Sequence, residues 1–397
     1  MTRLGGRFEE LAEAAERAAA SLDGRPRDLQ ARIDRLLERL AQDPQYLLSR
    51  VVREPRAVVL ELTLGCNLRC RHCGSNAGRA RPDELSLDEW LVVCDDLADL
   101  GARLVTLLGG EPLISPHWQA LARRLADRGV RVNAITNGWT LDRPETVDAI
   151  ADSALGSLGL SIDGRPEAHD ALRNRPGSFA RIERGIELLH ARGYDELSCV
   201  TCVTRDNLDQ LPWLHEFLDS RGVKRWRIQI CVPAPRLPRE DPVVLRPADL
   251  KRLAEFVREY RNRGALRTGV ADNVGYFGGC EEFLRERERR HGFWTGCPAG
   301  LQVVGITSTG GVLGCLSFPA EPPWLEGNVR ERRLPEIWHD PNAFAFQRRF
   351  DPAQLGGPCA DCRYGPLCRG GCRSSNLGYT GELGNNPYCL EALKRDD

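Results

Sequence analysis

Six short runs rich in aliphatic and β-branched residues alternate with amphipathic segments between Arg56 and Cys231, and that alternation leaves few folds open. The runs are "AVVLELT" (57–63), "LVTLLG" (104–109), "VRVNAIT" (130–136), "LGLSID" (158–163), "LSCVTCVT" (197–204) and "WRIQI" (226–230). Helical periodicity fills the gaps near 87–100, 117–128, 144–151, 179–192 and 210–221, and Ser86 with Glu89 reads as a capping box at the first of these. Repeated strand–helix–strand units fold with parallel strands and right-handed crossovers. Six units suit an α/β fold of the partial (β/α)6 barrel type better than the closed eightfold barrel, which needs two more. Active sites in β/α barrels lie at the C-terminal ends of the strands. The residues that close each run are therefore the ones to read for chemistry.

The flanks differ from this core. Residues 1–50 read as an N-terminal helical segment, broken at Asp23-Gly24 and Pro26, with an earlier helix from about Phe8 to Leu22. In the later helix Leu29, Ile33, Leu36, Leu37 and Leu40 share one face. A helical pair packed on the main domain is the plain expectation; a docking surface for a partner or peptide is the sharper one. The barrel is assigned to 51–235. Residues 236–279 hold a proline-rich connection and the helix "PADLKRLAEFVREYRNRG". Residues 280–397, rich in Gly, Pro and Cys and poor in periodicity, form a C-terminal cysteine-rich domain held by metal ligation.

Composition narrows the class. The chain of 397 residues exceeds the roughly 250–300 at which single cores stop growing. With 55 Lys and Arg against 56 Asp and Glu, it lacks the basic excess of a nucleic-acid or membrane-surface protein. The N-terminus has no apolar core of a secretion signal and no run approaches the roughly 18 apolar residues of a membrane span, so a cytoplasmic location is expected. Fifteen cysteines in a reducing compartment read as metal ligands or catalytic groups rather than disulfides.

The first cysteine cluster, "CNLRCRHC", follows the first strand and places Cys66, Cys70 and Cys73 at the barrel mouth. Structural zinc sites use four protein ligands; three thiolates on an iron–sulfur cluster leave one iron open. Here the chain resembles the radical S-adenosylmethionine (SAM) superfamily, whose C-x3-C-x-φ-C signature it matches, with His72 where an aromatic residue is usual. The resemblance implies a [4Fe-4S] cluster on Cys66, Cys70 and Cys73, its open iron chelated by SAM. It also implies roles at successive strand ends. "GGEP" (Gly109, Gly110, Glu111, Pro112) would approach the SAM methionine, with Glu111 accepting from its ammonium. Asn137 in "TNG", Ser161 and Asp163 in "SID" and Asn207 in "VTRDN" would reach the methionine or ribose. Arg173 would meet the carboxylate.

The second cluster runs C-x12-G-x4-C, a gap, then C-x2-C-x5-C-x3-C-x16-C. It resembles the SPASM domain found on a subset of radical SAM enzymes, which implies two auxiliary [4Fe-4S] clusters and three in all. By position, Cys297, Cys315 and Cys372 would bind one and Cys359, Cys362, Cys368 and Cys389 the other, with Cys280 placed to complete the first. In sulfatase-maturing relatives an aspartate follows the cysteine matched by Cys315; here it is Leu316, which disfavours sulfatase maturation. Cys94, Cys199 and Cys202 read as buried core, whereas Cys231 closes the sixth strand and is a candidate catalytic residue.

The resemblance thus implies an enzyme that reductively cleaves SAM to a 5′-deoxyadenosyl radical and oxidatively modifies a substrate by cross-linking or dehydrogenation. An external electron donor such as a flavodoxin or ferredoxin would serve it. A ribosomally made peptide is the first expectation for the substrate. A small molecule dehydrogenated in antibiotic (aminocyclitol-type) biosynthesis is the second. A non-catalytic iron–sulfur carrier is the third, and it leaves "GGEP", "TNG" and "SID" unexplained. No nucleic-acid or membrane partner is expected.

Overall fold

The computed structural model describes residues 26–51, 53–285 and 292–395. The proposed helix at 8–22 lies outside the described residues. Helix α1 (Pro26–Gln42) precedes the barrel, which runs β1 (Ala57–Glu61), α2 (Leu87–Asp99), β2 (Leu104–Leu108), α3 (Trp118–Asp127), β3 (Arg131–Thr136), α4 (Pro144–Ala151), β4 (Ser157–Ser161), α5 (Pro166–Arg173), α6 (Ser178–Ala191), β5 (Leu197–Val203), α7 (Leu211–Ser220) and β6 (Arg225–Ile230). All six expected strands form and pair in parallel in sequence order. The capping box at α2 is present, with Ser86 Oγ accepting from the Glu89 amide and Glu89 from the Ser86 amide.

The sheet is larger than six strands. After α8 (Asp249–Tyr260), β7 (Arg267–Val270) adds a parallel strand beside β6. Past α9 (Glu281–Arg285), β8 (Val303–Ile306) pairs in parallel with β1, and the antiparallel β9 (Gly311–Leu313) and β10 (Leu325–Asn328) extend that edge. The order is β10-β9-β8-β1-β2-β3-β4-β5-β6-β7. Leu60 thus stands opposite Leu107 on one side and Ile306 on the other. The short helices α10 (Leu334–His339), α11 (Ala345–Arg348), α12 (Gly365–Cys368), α13 (Arg373–Thr380) and α14 (Leu390–Arg395) complete the cysteine-rich part.

Alternation of burial along the strands defines two faces. Val58, Leu60, Val105, Leu107, Val132, Ala134, Leu158, Leu160, Cys199, Trp226 and Ile228 are buried in the core shared with the helices. The intervening Val59, Thr106, Asn133, Ile135, Ser161, Ser198, Val200 and Gln229 are only half-buried, so the other, concave face of the sheet is open.

Helix α1 departs from the expectation that it packs on the main domain. Ile33 and Leu40 are buried with Leu29, Leu36 and Leu37 against Tyr276, Phe277, Phe293, Trp294, Leu367 and Cys389. Its apolar stripe covers the cysteine-rich part, where periodicity is poor and apolar surface would otherwise stay wet.

Candidate active site

The loop after β1 carries Cys66, Cys70 and Cys73, and backbone hydrogen bonds hold it at both ends. The Cys66 amide donates to the Gly78 carbonyl at 3.0 Å, and the Arg71 amide donates to that of Leu172, at the end of α5, at 3.0 Å. Donors point at the sulfurs: the Leu68 amide at Cys66 Sγ (3.4 Å) and the Ala77 amide at Cys73 Sγ (3.3 Å). Asn137 Nδ2 reaches Cys66 Sγ at 3.6 Å, and Arg173 Nη1 reaches Cys70 Sγ at 4.0 Å. The three sulfurs lie within electrostatic reach of one another, and burial pushes the Cys66 thiol up to about 11. N–H donors aimed at several gathered sulfurs are what an anionic thiolate-ligated cluster requires. Three gathered thiols met by N–H donors fit a thiolate-ligated cluster.

"GGEP" closes β2 against this loop. A Cβ on Gly110 would stand 2.0 Å from the Gly65 carbonyl oxygen, and one on Gly109 (φ 134°) 2.4 Å from that of Thr63. These glycines let the β2 turn touch the cysteine loop itself, a closer reason for them than approach to a ligand. Glu111 is 1% exposed. It accepts from Thr136 Oγ1 (2.8 Å) and the Leu113 amide (3.2 Å) on Oε1, and from the Asn137 amide (2.7 Å) on Oε2. Its carboxyl thus ties the ends of β2 and β3 together. Burial pushes it up to about 7, against those three hydrogen bonds. Pro112 opens the single turn that follows.

Asp163 and Arg173 form the other wall. Arg173 Nε donates to Asp163 Oδ2 at 2.7 Å, while the Cys202 amide donates to Oδ1 at 3.0 Å. Burial works against the Asp163 charge, but Arg173 and the histidines beside it outweigh that and hold the carboxyl below the usual carboxylate range. The sequence-stated role of Arg173 toward a ligand carboxylate is thus joined by a structural one, a buried ion pair abutting Cys70. Asn207 braces the same corner, its Nδ2 donating to the Asp163 carbonyl (2.6 Å) and its Oδ1 accepting from the Thr204 amide (2.8 Å). Ser161 stands half-buried on the concave face.

The later thiols gather in two sets. Cys297, Cys315 and Cys372 lie within electrostatic reach of one another, as do Cys359, Cys362, Cys368 and Cys389. Burial pushes Cys297 and Cys389 each up to about 12. Cys280 is not brought to the first set. It immediately precedes α9, donates to the Gly278 carbonyl at 3.7 Å, and has Glu281, Arg258 and Lys394 as its charged neighbours. The carboxylate within reach of Cys315 is Asp272. Leu316 lies over Gly305 of β8, where a Cβ would stand 2.7 Å from Leu316 Cγ.

Three features escaped the reading of the sequence. Buried Cys202 shares a thiol–thiol hydrogen bond with Cys231, and both sit where β5 and β6 end. Tyr379 Oη on α13 donates to the Cys231 carbonyl at 2.6 Å, joining the barrel mouth to the cysteine-rich part. Arg369 and Arg373 are buried among the later thiols, and only the unusual placing of arginine beside Gly-Gly in "CRGGCR" marks the first. Cys94 and Cys199 are buried, each pushed up to about 12 by burial.

Comparison with known proteins bears on the whole of this arrangement. The radical SAM superfamily model matches residues 60–218, and that of the SPASM iron–sulfur cluster-binding domain matches 297–363. The AdoMet-dependent heme synthase of Methanosarcina barkeri (strain Fusaro) is 33% identical over 351 residues, 85% of this chain and 96% of that protein. The mycofactocin maturase MftC of Mycobacterium ulcerans (strain Agy99) is 30% identical over 85% of this chain and 88% of its own. The crystal structure of Streptococcus suis SuiB bound to S-adenosylmethionine superposes with a TM-score of 0.67 at 20% identity, covering 95% of this chain and 86% of that one, a likeness of fold. The chain therefore belongs to the radical SAM superfamily and carries a C-terminal SPASM iron–sulfur domain.

Proposed function

We propose that this protein reductively cleaves SAM and oxidatively modifies a substrate held on the concave face of the sheet, a ribosomally made peptide in the first reading. The observation that carries this is the convergence of Glu111, Thr136, Asn137, Asp163 and Arg173, from the ends of β2 to α5, on Cys66 and Cys70. With clusters bound at its three thiol sets, SAM cleavage supplies a 5′-deoxyadenosyl radical for hydrogen abstraction and the auxiliary clusters supply an electron sink.

The chain's own part is binding, orientation and exclusion of water. Arg173, half-neutralised by Asp163, keeps a guanidinium edge toward Cys70, where an anionic group of SAM would be met. Glu111 and Asn207 fix the loops that bear those contacts. A flavodoxin or ferredoxin would bring the electron.

The peptide reading is supported by the chemistry of the concave face. Asn133, Ser161 and Gln229 present amides and a hydroxyl suited to a peptide backbone, interleaved with Val59, Ile135 and Val200. The identity to mycofactocin maturases supports it further. The second reading, a carboxylate-bearing tetrapyrrole, is favoured by the heme synthases, which match nearly end to end.

The test is anaerobic reconstitution with iron, sulfide, SAM and dithionite, followed by chromatography for 5′-deoxyadenosine. Release is expected, raised several-fold by short peptides encoded beside the gene and left unmoved by iron porphyrin carboxylates. Stimulation by the porphyrin instead selects the second reading, and no 5′-deoxyadenosine under any condition sinks both in favour of a non-catalytic iron–sulfur carrier.

A further inference from the structure

Arg369, the residue after α12, has φ 56°, and Gly370 (φ 80°) and Gly371 (φ 77°) follow it in the same left-handed region. A side chain there is strained in a way that glycine would avoid. An arginine stands there nonetheless, and it is 5% exposed. Its Nη2 donates to the Thr295 carbonyl at 2.8 Å, whereas Nε and Nη1 are buried without a partner. The backbone beside it is shaped to admit it: a Cβ on Gly296 (φ 92°) would stand 2.1 Å from Arg369 Nε. Strain, a glycine cradle and two unpartnered donors all meet at one guanidinium.

What surrounds it is sulfur from both later sets. Arg369 directly follows Cys368 of the second set, and Gly296, against which its Nε lies, directly precedes Cys297 of the first; both sulfurs are within its electrostatic reach. Arg373 repeats the pattern on one side. It is 1% exposed, its Nη2 donates to Gln354 Oε1 at 3.2 Å, its Nε and Nη1 are unpartnered, and its backbone amide donates to Cys297 Sγ. Arginine keeps its charge in a folded protein, and two buried guanidinium groups with N–H donors left unpartnered are costly unless anions meet them. The fold is therefore built around anions that share this space.

We infer that Arg369 is a cation shared by the two auxiliary iron–sulfur clusters, its free Nε–H and Nη1–H donating toward sulfur on both sides and setting both reduction potentials, with Arg373 reinforcing the first cluster alone. Positive charge and N–H donors near the sulfurs favour the reduced, more negative cluster and raise its potential. Arg369 is thus a positioning residue, which links the two potentials so that neither cluster lies far below the other. The inference rests on the assignment of the seven later cysteines to two clusters.

An EPR-monitored redox titration of the reconstituted full-length protein, with iron and sulfide assay, tests it. Arg369→Met is expected to keep its iron while the reduced-to-oxidised ratio of both auxiliary clusters falls at least tenfold at the wild-type midpoint, about 59 mV for one electron. The SAM-binding cluster should not move, Arg369→Lys should stay at the wild-type potentials, and Arg373→Met should shift one auxiliary cluster only. Full iron with unchanged auxiliary potentials in Arg369→Met overturns the inference. If Arg369→Met fails to assemble, Arg369→Lys decides. Iron retained with both auxiliary midpoints within about 59 mV of wild type supports the charge role, and loss of iron there too, or midpoints lowered by more than that, overturns it. A wild-type protein with about 4 rather than about 12 irons is a separate failure, that of the cluster assignment itself.

Discussion

Glu111 shows how one side chain can be legible in kind and hidden in role. "GGEP" after a strand announces a functional turn, but whether its carboxyl faces a ligand or the protein depends on what the next strand brings. Here β3 brings Thr136 Oγ1 and the Asn137 amide, 25 and 26 residues away. The consequence is measurable. The folded chain holds the Glu111 proton to about pH 7, while the unfolded carboxyl releases it near its ordinary 4.5. Between those values the native state binds the extra proton, so this group's contribution to stability falls as pH rises, by up to about 1.4 kcal/mol per unit. His72 and His169, both held near 4 mainly by burial, act oppositely and add stability as pH rises from about 4 to their ordinary 6.5. The diagnostic quantity is therefore the difference between wild type and Glu111→Gln in urea unfolding of the cluster-free protein. That difference should move in the variant's favour by about 2 kcal/mol or more from pH 5 to pH 7 and then level off. Parallel stability curves across that range would contradict it.

At the scale of elements, the six strands and most helices are legible, the eight-residue α4 included, whereas α5, β7 and β8 are not. The helices from α2 to α7 that span ten residues or more begin and end within a residue or two of their expected bounds, because an apolar face repeated over three turns is a strong local signal. Helix α5 runs eight residues from a proline start at Pro166 to a left-handed stop at Asn174 (φ 51°), with only His169, Leu172 and Arg173 buried, so little apolar stripe marks it. The four-residue strands β7 and β8 carry no alternation of their own. Helix α1 marks a different limit, since periodicity says that a helix has an apolar face and not which surface covers it. That face lies on the cysteine-rich part through Ile33, 3% exposed, and Leu40, 2% exposed. Truncating Ile33 to Ala should cost about 2–4 kcal/mol of that docking. The expected outcome is faster proteolysis within residues 26–50 and faster loss of iron from the C-terminal thiols, with SAM cleavage in the absence of substrate retained. Unchanged cleavage rates by protease would show that α1 is held some other way.

Across the whole molecule, composition divides the chain where the sheet does not. The Gly-, Pro- and Cys-rich stretch after residue 280 reads as a separate unit, yet its β8 is a strand of the barrel's own sheet. No local signal could show this, because the pairing is set by contacts such as that of Glu61 with the Ser308 amide, 247 residues apart. Further ties reach both ends of the barrel: Trp338 Nε1 donates to the Arg53 carbonyl at 2.9 Å, Arg333 pairs with Asp96 on α2, and Tyr379 caps Cys231. The two cofactor regions are in this sense one folded body, which keeps the thiol sets at fixed positions relative to the concave face. A chain ended at residue 279 would strip β8 from β1 and leave Val58 and Leu60 on an unpaired edge, the kind of surface through which strands associate. Such a chain should elute in the void volume on size exclusion even when its Cys66 loop is reconstituted with iron. A monomeric 1–279 with a cooperative thermal transition would show that the barrel folds without its C-terminal strand, and would restore the division that composition suggests.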